Sequence, residues 1–109
     1  MKANLKVAGM CCLALSLVAP AIAQDSGAQI YKDRCTMCHG DDGKAATPTG
    51  KAFKAASFTA PAAVKASDVE LIGIVTKGKG KMMAFGGILT DDQIKAVVAY
   101  IRTTFQKKN

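Results

Sequence analysis

Apolar side chains recur near the end of the chain at Ile94, Val97, Val98, Ile101 and Phe105. Those positions fall at i, i+3, i+4, i+7 and i+11, the stripe of an amphipathic helix. Thr90 stands just before them with Gln93 three residues on. Such a Ser/Thr-x-x-Glu/Gln box satisfies two otherwise free N–H groups at a helix start, so the spacing predicts a helix from Asp91 to about Phe105. Asp91 and Asp92 suit its positive end, and Lys107 and Lys108 its negative end. The same box recurs at Ser67 and Glu70, predicting a helix from Asp68 to about Lys77 that Gly78 closes as a left-handed C-cap. A third box, Ser26 with Gln29, predicts a helix running toward His39. The stretches between, 40–66 and 78–89, are rich in Gly, Pro, Thr and Lys and carry no alternating strand pattern. The expected fold is all-α, three main helices joined by long loops, and long loops in so small a chain usually wrap something.

The first 23 residues follow a different pattern. Lys2 and Lys6 precede an uncharged run from Val7 to Val18, Pro20 breaks it, and Ala21-Ile22-Ala23 has the small-x-small form of a cleavage site. Twelve residues suit the core of an export signal and fall short of the ~20 that span a membrane. The expectation is a signal peptide at 1–23 and one domain at 24–109, exported to the bacterial periplasm with no stable membrane insertion afterwards.

Export changes the arithmetic of charge and sulfur. The full chain of 109 residues carries a formal net charge of +7; losing Lys2 and Lys6 leaves +5. Cys11 and Cys12 leave as well, so Cys35 and Cys38 are the only thiols of residues 24–109. One closely spaced pair makes no disulfide scaffold. The chain has no Trp, and so short a domain has little core of its own. Something else is expected to fill the middle, with Ile30, Leu71, Ile72, Val75, Ile94, Val98 and Ile101 packed onto it.

Cys35-Thr36-Met37-Cys38-His39 supplies a candidate. Cys-x-x-Cys-His is the attachment signature of c-type haem. Two thiols one helical turn apart can add to the two vinyl groups on one haem edge, and the next residue brings an imidazole under the iron. A thioredoxin-like pair would need a βαβ sheet around it, and a structural zinc site would need four ligands; neither pattern is present. His39 is the single histidine, so a sixth ligand must be something else. Met37 lies inside the attachment loop on the wrong side. Met82 and Met83 lie in a Gly- and Lys-rich loop that can cross to the far face. Both as core filler is the alternative.

These motifs resemble the small class I cytochromes c, nearest to the short bacterial and algal monohaem types such as cytochromes c6 and c553, across nearly all of residues 26–105. Gly27 and Tyr31 are similar to the family's small-plus-aromatic face before the haem motif, and Tyr100 to the aromatic of the last helix that packs against it. Lys81-Met82-Met83-Ala84-Phe85-Gly86 resembles the family's Met-Pro-Ala-Phe stretch, which implies Met82 as the distal ligand with Met83 as the alternative. Met83 replaces the usual Pro, which would fix φ, so a looser loop is expected. Pro48 is aligned with the proximal-loop proline whose carbonyl fixes the His ring.

The resemblance implies one covalent haem c held by Cys35 and Cys38, ligated by His39 and Met82, in a monomeric electron carrier rather than an enzyme. The alternatives are an electron-entry subunit or weak peroxidase of a haem oxidoreductase, and a ligand sensor with displaceable Met. Lys77, Lys79 and Lys81 read as a rim that steers a redox partner with an acidic docking face. Nucleic acid is not an expected partner of an exported haem protein.

Overall fold

The computed structural model describes residues 26–108 and the isolated Gly9; the expected signal segment otherwise lies outside the described residues. Among the described residues six helices follow one another: α1 Gly27–Arg34, α2 Thr36–His39, α3 Pro48–Ala52, α4 Pro61–Lys65, α5 Asp68–Lys77 and α6 Asp91–Thr104. Among the described residues, strand-like pairing is limited to two isolated bridges, Lys79 with Met82 and Gly86 with Leu89. The all-α expectation is met.

The capping boxes at Ser67 with Glu70 and Thr90 with Gln93 form in full and start α5 and α6 at the expected residues. The box at Ser26 forms by half. Ser26 accepts from the Gln29 N–H, but the Gln29 amide turns down the helix to Asp33 at 2.9 Å. The first helix also breaks at Cys35, which ends α1 and begins α2. Gly78 ends α5 with φ +76° and ψ 169°, positive in φ as expected but extended in ψ rather than left-handed helical.

The centre of the fold is the crossing of α1 on α6. Ile30 and Tyr31 from α1 meet Val97 and Ile101 from α6 in one buried cluster, with Tyr100, Phe105 and Cys35 packed against it. The close approach requires glycine at position 27, because a Cβ there would overlap the Ala96 carbonyl and stand 3.0 Å from Tyr100 Cβ. Ile94, Val97, Val98 and Ile101 of the predicted stripe are all buried. The expected Tyr31–Tyr100 contact is present, with ring centroids 5.4 Å apart.

A second tie is polar. Arg102 is buried on α6, and its Nε donates to Asp68 Oδ1 at 2.7 Å, at the first residue of α5. Its Nη2 donates to the Ala66 carbonyl and its Nη1 to Gln106 Oε1 at 2.6 Å. The Gln106 amide in turn donates to the carbonyls of Phe58 and Ala63 at 3.0 and 3.2 Å. One guanidinium thus fastens the loop around α4 and the start of α5 to α6.

Candidate haem-attachment site

Cys35, Thr36, Met37, Cys38 and His39 wind into a single turn of helix, so the two thiols lie one turn apart with His39 after them. Both cysteines are free and half-buried. Burial, then the neighbouring Cys38, pushes the Cys35 thiol up to about 11. Met37 points outward, 74% exposed.

The turn is gripped by the segment after it. The Thr47 hydroxyl lies 2.7 Å from the Met37 carbonyl and 3.1 Å from that of Cys38, and accepts from the Gly50 N–H at 2.9 Å to cap α3. A Cβ on Gly50 would overlap the Cys38 carbonyl, so α3 seats directly on the attachment turn. Pro48 occupies the first position of α3, where its missing N–H costs nothing. It does not hold the histidine ring. That expectation is corrected: His39 Nδ1 lies 2.9 Å from the Ala56 carbonyl.

A carbonyl can only accept, so Nδ1 carries the proton and the lone pair is on Nε2. Burial lowers the His39 pKa, against a smaller upward pull from the Ala56 hydrogen bond, and so favours the neutral imidazole that metals bind. Phe58, which the sequence reading passed over, stacks on the ring with centroids 4.4 Å apart. Phe58 in turn stacks on Phe105 at 5.9 Å, and Phe105 lies 5.0 Å from Tyr31. The Tyr31 hydroxyl donates to the Gly40 carbonyl at 2.7 Å. Burial raises its pKa well above the usual phenol range, which keeps it a donor.

α5 and the loop after it carry the candidate sixth ligand. Leu71, Ile72, Ile74 and Val75 are each only half-buried, and α5 buries no residue fully. The loop is held by backbone hydrogen bonds on either side of Met83. Lys79 and Met82 exchange backbone hydrogen bonds of 2.9 and 3.2 Å across a two-residue turn. Phe85 and Gly86 then donate to the Val75 and Thr76 carbonyls at 2.9 and 3.0 Å. Met82 is half-buried, whereas Met83 is 55% exposed.

These residues fit a haem. Two adjacent thiols and a neutral imidazole with Nε2 unprotonated suit its attachment and its iron. The apolar side chains of α5 are left without a full protein partner, as a porphyrin face requires.

Fold and site together are those of a c-type haem protein, and comparison with known proteins narrows the class. The family model for subunit III of cbb3-type cytochrome c oxidase matches residues 22–101. Cytochrome c6 of Nostoc sp. (strain PCC 7120) is 34% identical over 100 residues, covering 90% of this chain and 87% of that protein. Cytochrome c6 of Picosynechococcus sp. is 38% identical over 89 residues, 75% of each. Among solved structures, the KustC0563 c-type cytochrome superposes with a TM-score of 0.68 at 32% identity, over 78% of this chain and all of that one. Cytochrome c6C from Synechococcus sp. PCC 7002 gives 0.58 at 31% identity, over 75% and 98%. The chain belongs to the small class I monohaem cytochromes c, cytochrome c6-like electron carriers with one covalently bound haem c.

Proposed function

We propose that the chain is a soluble periplasmic carrier whose haem c is attached through Cys35 and Cys38, ligated by His39 and Met82, and cycled between Fe(II) and Fe(III). The observation that carries this reading is the His39 ring, buried, stacked on Phe58, and held by Ala56 in the tautomer that leaves Nε2 free. Met82 is favoured over Met83 because it is the half-buried one, at the end of a hydrogen-bonded turn. A haem with His and Met on opposite faces has no open position for substrate and a raised potential, which suits electron transfer over bond-making. The protein's part is to hold both ligands still, so that little reorganises when the electron moves. Lys77, Lys79 and Lys81, all exposed, form a rim for an acidic redox partner, met as a monomer.

Export rests on residues 1–23. The mass of the purified protein should equal residues 24–109 plus one haem, and its oxidised spectrum should show the weak red Met–iron charge-transfer band. Met82→Ala should abolish that band and Met83→Ala keep it. The reverse result would shift the ligand by one residue, and absence of the band from the unaltered protein would refute His/Met ligation.

The family-model match favours a second reading, an electron-entry subunit of a larger oxidoreductase. It differs in one measurable respect: the native protein would elute within a complex rather than alone.

A further inference from the structure

A single hydrogen bond does not fix the plane of a ring. The Ala56 carbonyl locates His39 Nδ1, but the torsion that turns an imidazole about its Cβ–Cγ bond has a broad well. Ala56 is itself exposed. A flat neighbour narrows that well. Phe58 lies against His39 with ring centroids 4.4 Å apart and planes 21° from parallel. At that separation a turned imidazole would push its edge into the Phe58 ring.

Phe58 is in turn held by ring and backbone together. Phe105 lies nearly parallel to it, 5.9 Å away at 19°. The Phe58 N–H donates to the Gly43 carbonyl at 2.8 Å, and the Phe58 carbonyl accepts from the Gln106 amide at 3.0 Å. Gly43 has φ +71° and approaches Phe105 so closely that a Cβ would stand 2.8 Å from that ring. Phe105 is the C-cap of α6 and Gln106 the residue after it. Both constraints on Phe58 therefore come from the C-terminal end of α6.

We infer that Phe58 is the positioning residue that sets the plane of the His39 imidazole, and that the end of α6 sets Phe58. The inference rests on the electron-carrier reading and deepens it by naming what holds the proximal ligand still. Partners that orient a metal-binding histidine also tune the metal. An imidazole on low-spin ferric iron donates through an orbital perpendicular to its ring, so the angle of the ring decides how unpaired spin spreads over the porphyrin.

The test reads haem methyl proton shifts of the ferric holoprotein in its cyanide complex. Cyanide replaces Met82 there and is cylindrically symmetric, so the plane of His39 alone orders those shifts. Phe58→Leu should change their order or spread, and Phe58→Tyr, which keeps the flat face, should retain the parent pattern. Gln106→Glu keeps the acceptor for Arg102 and removes the donor to Phe58. It should move the shifts in the same sense by a smaller amount, and it carries the test if the leucine variant does not fold. Thr90→Ala removes the cap at the opposite end of α6, and should lower the melting temperature without moving the shifts.

Unchanged shifts in Phe58→Leu, with a lower melting temperature, would reduce Phe58 to packing and overturn the inference. An equal change in Thr90→Ala would overturn it too, because the shifts would then follow stability alone. A change in Phe58→Leu but none in Gln106→Glu would uphold Phe58 and overturn the part given to α6. If the complex shows no strongly shifted His39 ring protons, His39 does not bind the iron, and the ligation reading falls along with this one.

Discussion

The segments that carry His39 and Met82 are built on different principles. On the His39 side, α1, α2 and α6 meet through side chains: Ile30, Tyr31, Val97 and Ile101 are buried, and an aromatic relay runs from His39 through Phe58 and Phe105 to Tyr31. On the Met82 side, α5 buries nothing fully, and its loop is held by backbone hydrogen bonds to the last turn of the helix. A wall of interlocked side chains resists displacement because interiors are close-packed. A wall of main-chain bonds over a half-covered apolar face depends on whatever covers that face. The difference teaches that the His39 side is packed by the protein's own side chains, while α5 leaves an apolar face half-covered.

The strongest way to break this contrast is to remove attachment. Cys35→Ala with Cys38→Ala, made without haem, should lose cooperative melting in far-UV circular dichroism, because a domain this small lacks core enough without its cofactor. Hydrogen exchange should place any residual protection in α1 and α6 and none in α5. Equal protection in all three, or a cooperative melt, would overturn the contrast.

Next in size is an attack on the packed side itself. Gly27→Val in the holoprotein should drive a side chain into the Ala96 carbonyl and destabilise by roughly 3 kcal/mol, the upper end for overpacking. Denaturant unfolding measures it, and a loss under about 0.5 kcal/mol would mean the helices can part at little expense.

Smaller again is the tie between α6 and the start of α5. Arg102→Met keeps the bulk on α6 but leaves the Ala66 carbonyl and Asp68 without their donor. Because Asp68 is 70% exposed, solvent screens that pair, and the expected loss is about 2 kcal/mol, mainly from unsatisfied carbonyls. Arg102→Lys should recover only part, since an ammonium cannot reach three directions from one plane. Full recovery by Lys would reduce the tie to simple charge.

Much of this was legible in the sequence, unevenly. α5 and α6 were readable because each opens with a reciprocal capping box, and α6 adds a stripe whose period has one interpretation. The Cys-x-x-Cys-His turn was readable because its chemistry needs that spacing. The break at Cys35 was not, since nothing local forbids the helix from running on. α3 and α4 open with Thr47-Pro48 and Ala60-Pro61, a proline-at-N1 signal that was there to be read, though five residues give no period to support it. The Ala56 carbonyl was invisible for a deeper reason. A main-chain acceptor has no side-chain identity, so Pro48 drew the expectation and the loop's path decided otherwise. Arg102 and Asp68 lie 34 residues apart, and a charged residue beside Ile101 looks like an ordinary solvent-facing position until the loop closes over it.

The α1–α6 crossing also sets a sequence of events in time. The elements it joins lie at opposite ends of the folded region, so closing it must wait for a loop of some sixty residues, a contact of high order that slows folding. In biosynthesis α6 emerges after α1 to α5. Cys35 packs against the cluster that α6 completes, and burial there pushes its thiol up to about 11. α1 and the turn that carries Cys35 and Cys38 are therefore synthesised some fifty residues ahead of the helix that packs on them.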